Sequence, residues 1–99
     1  MKKILLITLL FIVRFSFSQS RYWVAAGAGL WSGNNWSSTS GGAADGGGPP
    51  TGAEDAFFDG NGLGNCTVDA VASFNDLTVD GYTAIIDING NSFTVNGEA

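Results

Sequence analysis

Histidine is absent from this chain, and cysteine occurs once, as Cys66. Without histidine, the commonest acid–base side chain and the commonest metal ligand are both missing. One cysteine cannot close an internal disulfide, the usual staple of a short secreted domain. Positive charge is also scarce, with four Lys and Arg against nine Asp and Glu. Lys2, Lys3 and Arg14 all precede residue 19, so Arg21 alone faces the nine acids beyond it, a net charge of 1 − 9 = −8. Such a surface repels phosphate backbones and anionic lipid, which excludes nucleic acid as a partner. No apolar stripe of helical period occurs after residue 18, so no helix is expected there.

The one long apolar run opens the chain. Lys2 and Lys3 precede residues 4–13, which are apolar apart from Thr8, and Ser16-Phe17-Ser18 supplies small residues at a cleavage site. This is the three-part layout of a secretory signal peptide, expected to span residues 1–18. A membrane-spanning helix needs about 20 apolar residues, and Arg14 interrupts the run earlier. With no cysteine just after the run for a lipid anchor, the mature chain is expected to be secreted or on the outer cell surface. It then has no membrane span once the signal is cleaved.

Two zones follow. Residues 19–52 form a Trp- and Gly-rich segment holding Trp23, Trp31 and Trp36, then a low-complexity stretch that ends in Pro49-Pro50 and reads as a loop. Residues 53–99 carry short apolar runs punctuated by Gly, Asn and Asp. Cys66-Thr67-Val68-Asp69, Leu77-Thr78-Val79-Asp80 and Phe93-Thr94-Val95-Asn96 repeat one formula, with Ile86-Asp87-Ile88 as a fourth short strand. Strand alternation sends Cys66 and Val68, Leu77 and Val79, and Phe93 and Val95 to one face each. The expected fold is all-β. The formula favours the start of a parallel β-solenoid, in which equivalent strands stack coil on coil. The alternative is a β-sandwich of hairpins, for which Asn89-Gly90 is a turn signal and the uneven spacing of the echoes an argument.

Several landmarks fall in a recognisable order. Arg21-Tyr22-Trp23-Val24 is followed by Leu30-Trp31-Ser32-Gly33-Asn34-Asn35-Trp36, then Pro50-Thr51 and Glu54-Asp55-Ala56-Phe57-Phe58-Asp59. The series resembles the opening of large secreted bacterial adhesin-like surface proteins, of the kind carried by type IX secretion. The resemblance implies β-helical repeats like those of autotransporter passengers, with further β-solenoid coils as the partner of the first ones. The chain ends before the long repeat region and the C-terminal sorting domain of such proteins, so it reads as the start of something longer.

Three groups of residues are candidates for a site. Trp23, Trp31 and Trp36 could stack on extracellular polysaccharide, or they could plug the first coil of a solenoid, whose exposed core needs a cap. The cap is the favoured reading, since large apolar residues are more often packed. The stretch from Asp59 to Gly64 starts like a calcium loop, but the twelfth position is Ala70 where an EF-hand needs Glu. A looser calcium site from Asp55, Asp59 and Asn61 competes with a plain turn, and the incomplete ligand set favours the turn. No other cofactor or metal is implied.

Glu54 and Asp55 point to opposite faces of a strand and cannot flank one glycosidic bond. Asp55 paired with Asp59 or Asp69 could, but no environment that raises a carboxyl pKa is legible. Cys66 occupies an inward strand position and reads as a buried, inert thiol.

The expected role is therefore structural, with no catalysis: the N-terminal module of a secreted, adhesin-like protein. A polysaccharide-binding module is the alternative, and a fragment of a polysaccharide-degrading enzyme is a weaker one. The leader makes the first prediction. N-terminal sequencing of the exported product is expected to begin near Gln19, and recovery of a soluble cytoplasmic chain with Met1 intact would refute it.

Overall fold

The computed structural model describes residues 19–97; the leader proposed for residues 1–18 lies outside them. Among the described residues the chain is all-β and contains no helix. Nine short strands follow one another: β1 (Ser20–Trp23), β2 (Gly29–Leu30), β3 (Trp36–Ser37), β4 (Asp55–Asp59), β5 (Cys66–Thr67), β6 (Ala72–Phe74), β7 (Leu77–Asp80), β8 (Ile86–Asp87) and β9 (Phe93–Val95).

Pairing skips along the chain. β1, β4 and β7 lie side by side, as do β2, β5 and β8, and β6 pairs with β9. Each of these pairings is parallel. Parallel neighbours need a long crossover between them, and here the crossover consists of the strands of the other sheets. The exception is β3, which lies antiparallel on the outer edge of β1 and makes that sheet mixed.

The registers show which positions correspond. Ala56 faces Leu77, Cys66 faces Ile86 and Ala72 faces Phe93, nearly equal steps along the chain. The strands thus fall into three layers: β1–β2 with β3, then β4–β6, then β7–β9. The first step, from Arg21 to Ala56, is longer because the loop spanning 38–50 is inserted there.

These registers correct the basis on which a solenoid was expected. The three echoes do not stack on one another. Cys66, Leu77 and Phe93 begin strands of three different sheets, and their partners in register are Ile86, Ala56 and Ala72. The hairpin alternative also fails on pairing, since no two successive strands pair among the described residues. Asn89 and Gly90 do form a tight turn, with φ of 55° and 75° and Asn91 N–H bonded to the Ile88 carbonyl. That turn joins β8 to β9, which belong to different sheets.

Alternation sets the core. In β4, Ala56 and Phe58 are buried while Asp55, Phe57 and Asp59 face outward. Trp23, Trp31, Trp36, Cys66, Val68, Ala72 and Phe74 complete the buried cluster, with Ala25 at its margin. The third layer is different. Leu77, Tyr82, Ile86, Ile88, Phe93 and Val95 pack on the core only partly buried. Val79 remains 52% exposed although it lies in register with fully buried Phe58. Leu77 packs partly on the core but Val79, expected on the same face, stays exposed, and among the described residues no strand lies beyond β7 to cover it.

One glycine fixes how closely the layers approach. The Gly64 N–H bonds the Ala25 carbonyl, and a Cβ at Gly64 would run into the Gly27 carbonyl group. Gly27 itself has open space where its own Cβ would be. Gly64→Ala is therefore expected to lower stability by about 1–3 kcal/mol or more, the range for forced overpacking. Gly27→Ala should stay within about 0.5 kcal/mol. Paired urea melts compare them, and equal midpoints would contradict the packing described.

Candidate functional site

The three tryptophans sit together because the first layer brings them together. Trp23 follows Arg21 on the inward side of β1, and Trp36 faces it from β3 in register. Trp31 follows β2, its N–H bonded to the Thr67 carbonyl of the layer below. Trp23 and Trp36 meet edge to face at 5.3 Å, and Trp31 and Trp36 at 4.9 Å. Phe58 lies beneath, stacked on Trp23 at 5.8 Å and edge-on to Trp36 at 5.5 Å. Trp31 extends the cluster to Phe74 and Phe93, each at 5.5 Å. Such offset and edge-to-face arrangements are the favoured aromatic geometries.

Burial and hydrogen bonding decide what these rings can do. Trp23 and Trp36 are fully buried and Trp31 is 2% exposed. Trp23 Nε1 donates to the Gly64 carbonyl at 3.0 Å, and Trp36 Nε1 to the Trp31 carbonyl at 2.8 Å. No indole face is open to solvent, so the sugar-stacking role considered for Trp23, Trp31 and Trp36 has no surface to act on. They pack over Phe58 and Phe74.

Arg21 completes the cover, and sequence reasoning missed its partner. Its guanidinium shares the inward side with Trp23, in register with the small Ala56. Two bonds join it to Asp45, from Nη1 at 3.0 Å and Nη2 at 2.7 Å, and Nε donates to the Gly48 carbonyl at 3.1 Å. Bidentate pairs of this kind are the strong ones. The guanidinium beside Asp45 holds that carboxyl well below its usual range, helped by the Gly47 N–H. Asp45 also accepts from Ser38 N–H, and its own N–H bonds the Trp36 carbonyl. The low-complexity loop is thus tied down over the first layer. The signal was present in the sequence: the one cation after residue 18 stood at an inward strand position and needed a carboxylate.

The candidate calcium ligands do not converge. Asp55 and Asp59 lie at opposite ends of β4, about 13 Å apart at the ordinary strand rise, whereas calcium ligands sit about 2.3–2.6 Å from the ion. Asp55 Oδ1 accepts from Asn75 Nδ2 at 2.8 Å and from Asp76 N–H. Asp59 accepts from the Ser40 hydroxyl and, at 3.0 Å, from Asn61 N–H. Asn61 Nδ2 donates to Ser40 Oγ. Asp59 and Asn61 therefore shape a turn and fasten the loop at Ser40. Among the described residues no three acidic or Cys side chains could share a metal ion.

The separation of Asp55 and Asp59 also exceeds the carboxyl spacing of about 5–9.5 Å that glycoside hydrolysis uses. Asp69 is engaged elsewhere, accepting from the Ser32 hydroxyl and N–H. Those bonds lower its pKa, the hydroxyl first, which is the wrong direction for a general acid. Cys66 is fully buried, and burial pushes its thiol up to about 12, with Asp69 adding to the shift.

Compared with known proteins, the chain matches no protein-family model, no curated protein and no solved structure.

What the geometry offers is a closely packed aromatic cluster with no exposed ring. Trp31 touches all three layers, and its removal tests the plug against the platform. Trp31→Ala is expected to destabilise the chain by about 3–5 kcal/mol. Tryptophan emission of the parent chain should be blue-shifted and unchanged by added polysaccharides. Red-shifted emission that responds to one glycan, with stability unaffected by the substitution, would reverse the assignment.

Proposed function

We propose that this chain is the capping and first-coil module at the N-terminal end of a secreted, adhesin-like surface protein, and that its three layers begin a parallel β-helix. The observation that carries the reading is the contrast between the two edges of the sheet built from β3, β1, β4 and β7, since β2 has an open outer edge as the third layer has. At the first layer, β3 occupies the outer edge of β1. The loop spanning 38–50 is latched over it by Arg21 and Asp45, and tryptophans fill the space beneath. At the third layer, the outer edges of β7, β8 and β9 have no strand partner among the described residues.

The parallel registers support a helical course, since the third layer repeats the path of the second at nearly constant offset. Open parallel edges template further pairing, and a repeat protein covers its last coil with the next one. The leader at residues 1–18 supports export, and the landmark series supports the surface-protein class. A second copy fits the open edge less well than further coils do. The edge carries Asp80 and Asp87, which would face their own counterparts across a symmetric contact. The role is scaffolding: the module starts the stack and shields its core from solvent.

Self-association of the isolated chain tests the open edge. Charge repulsion opposes contact between copies, and at physiological salt it is screened beyond about 8 Å. Sedimentation velocity of the chain spanning 19–99 should show association that grows with salt. Val79→Lys should suppress it, because an inward charge on an edge strand blocks pairing. An open reading frame continuing downstream with the same strand-to-strand interval would identify the covering coils. A monomer at all salt concentrations, melting cooperatively as a closed domain at about 60 °C, would overturn the reading.

A further inference from the structure

The chain holds three Asn-Gly pairs, Asn61-Gly62, Asn89-Gly90 and Asn96-Gly97. This dipeptide is chemically unstable. The glycine nitrogen attacks the asparagine side-chain carbonyl carbon, ammonia leaves, and a succinimide closes. Water then opens the ring at either carbonyl, giving aspartate or isoaspartate. The reaction needs both ends free: a side-chain amide able to turn towards the backbone, and a glycine N–H able to lose its proton.

The fold withholds both ends at two of the pairs. Asn61 Nδ2 donates to Ser40 Oγ at 3.0 Å. Gly62 N–H bonds the Asp59 carbonyl, and Gly62 is buried so close to Trp23 that a Cβ would meet its carbonyl oxygen at 2.5 Å. Asn96 Nδ2 donates to Ser73 Oγ at 3.1 Å, and Gly97 N–H bonds the Asn75 carbonyl at 2.6 Å.

Neither end is held at the third pair. Asn89 and Gly90 are exposed at the turn between β8 and β9. The bonds at this turn run from Asn89 N–H to Asp87 Oδ1 and from Asn91 N–H to the Ile88 carbonyl. They leave the Asn89 amide group and the Gly90 N–H without partners among the described residues. Nothing lies within 4 Å of where a Gly90 Cβ would stand, so the glycine itself is uncrowded.

We propose that Asn89-Gly90 is a site of spontaneous modification, converted through a succinimide to aspartate and isoaspartate while the other two pairs are protected by the fold. The product matters at this place. Isoaspartate inserts one more methylene into the main chain between two edge strands. Either product adds a carboxylate near Asp87. Both changes disturb the edge strands of the third layer.

The test compares three identical dipeptides within one molecule. The purified protein is incubated in mildly alkaline buffer, digested with chymotrypsin, and each asparagine is followed by mass spectrometry. Isoaspartate is counted independently with isoaspartyl methyltransferase. Circular dichroism confirms that the fold persists during incubation. Under native conditions Asn89 is expected to convert at least about tenfold faster than Asn61 or Asn96, equivalent to about 1.4 kcal/mol of protection at each of those sites. In concentrated urea the three rates should draw together. Comparable native rates, or a lead by Asn61 or Asn96, would overturn the proposal.

Discussion

One backbone acceptor, the Gly64 carbonyl oxygen, ties together all three layers. Trp23 of the first layer donates its indole N–H to it, and the Tyr82 hydroxyl of the third layer reaches it at 2.7 Å. Gly64 itself belongs to the turn between β4 and β5 in the second. A buried indole N–H without a partner would cost about 1–3 kcal/mol, so the large aromatic core depends on this atom being where it is. Its position depends in turn on glycine, because any side chain at 64 would push the backbone off Gly27. Burial pushes the Tyr82 hydroxyl up to about 12, which keeps it a donor across the ordinary pH range.

With one cysteine there is no internal disulfide, and the described residues concentrate their burial in one cluster. They do so with aromatic rings in the first and second layers, interspersed with small residues. Arg21 lies in register with Ala56, and Phe74 follows Ala72 on the same inward side of β6. Large and small side chains thereby share the narrow space that three short sheets enclose. The loop spanning 38–50 supplies no core of its own apart from buried Pro50. It gains order from polar anchors: Asp45 on Arg21, Ser40 on Asp59, and Gly46 N–H on Asn34 Oδ1.

The all-β class was legible from the alternation and the turn residues, and the inward direction of Cys66, Val68 and Leu77 was legible from parity. The order of stacking was not. Composition alone made Cys66-Thr67-Val68 and Leu77-Thr78-Val79 look equivalent, because a short strand with one buried face has few ways to be written. The pairs that do stack, such as Ala56-Phe57-Phe58-Asp59 on Leu77-Thr78-Val79-Asp80, share only their final Asp. What the core requires at each layer is a volume and a parity, and different residues meet that requirement. Of the candidate site residues, the three tryptophans lie in contact with one another, but buried. Asp55 was grouped wrongly with Asp59, since alternation puts both on one face but says nothing of the length of strand between them. The partnership of Arg21 with Asp45 spans a loop whose path no local pattern encodes.

The scarcity of basic residues has a practical corollary. From Gln19 to Gly97 the chain contains no lysine and one arginine, so trypsin has a single bond to cut, after Arg21. That bond lies within β1, flanked by β3 and β4, and the side chain the protease must bind is locked onto Asp45. The folded module is therefore closed to the most common digestive specificity. A cut at this position reports the opening of the first layer, a built-in readout that requires no label.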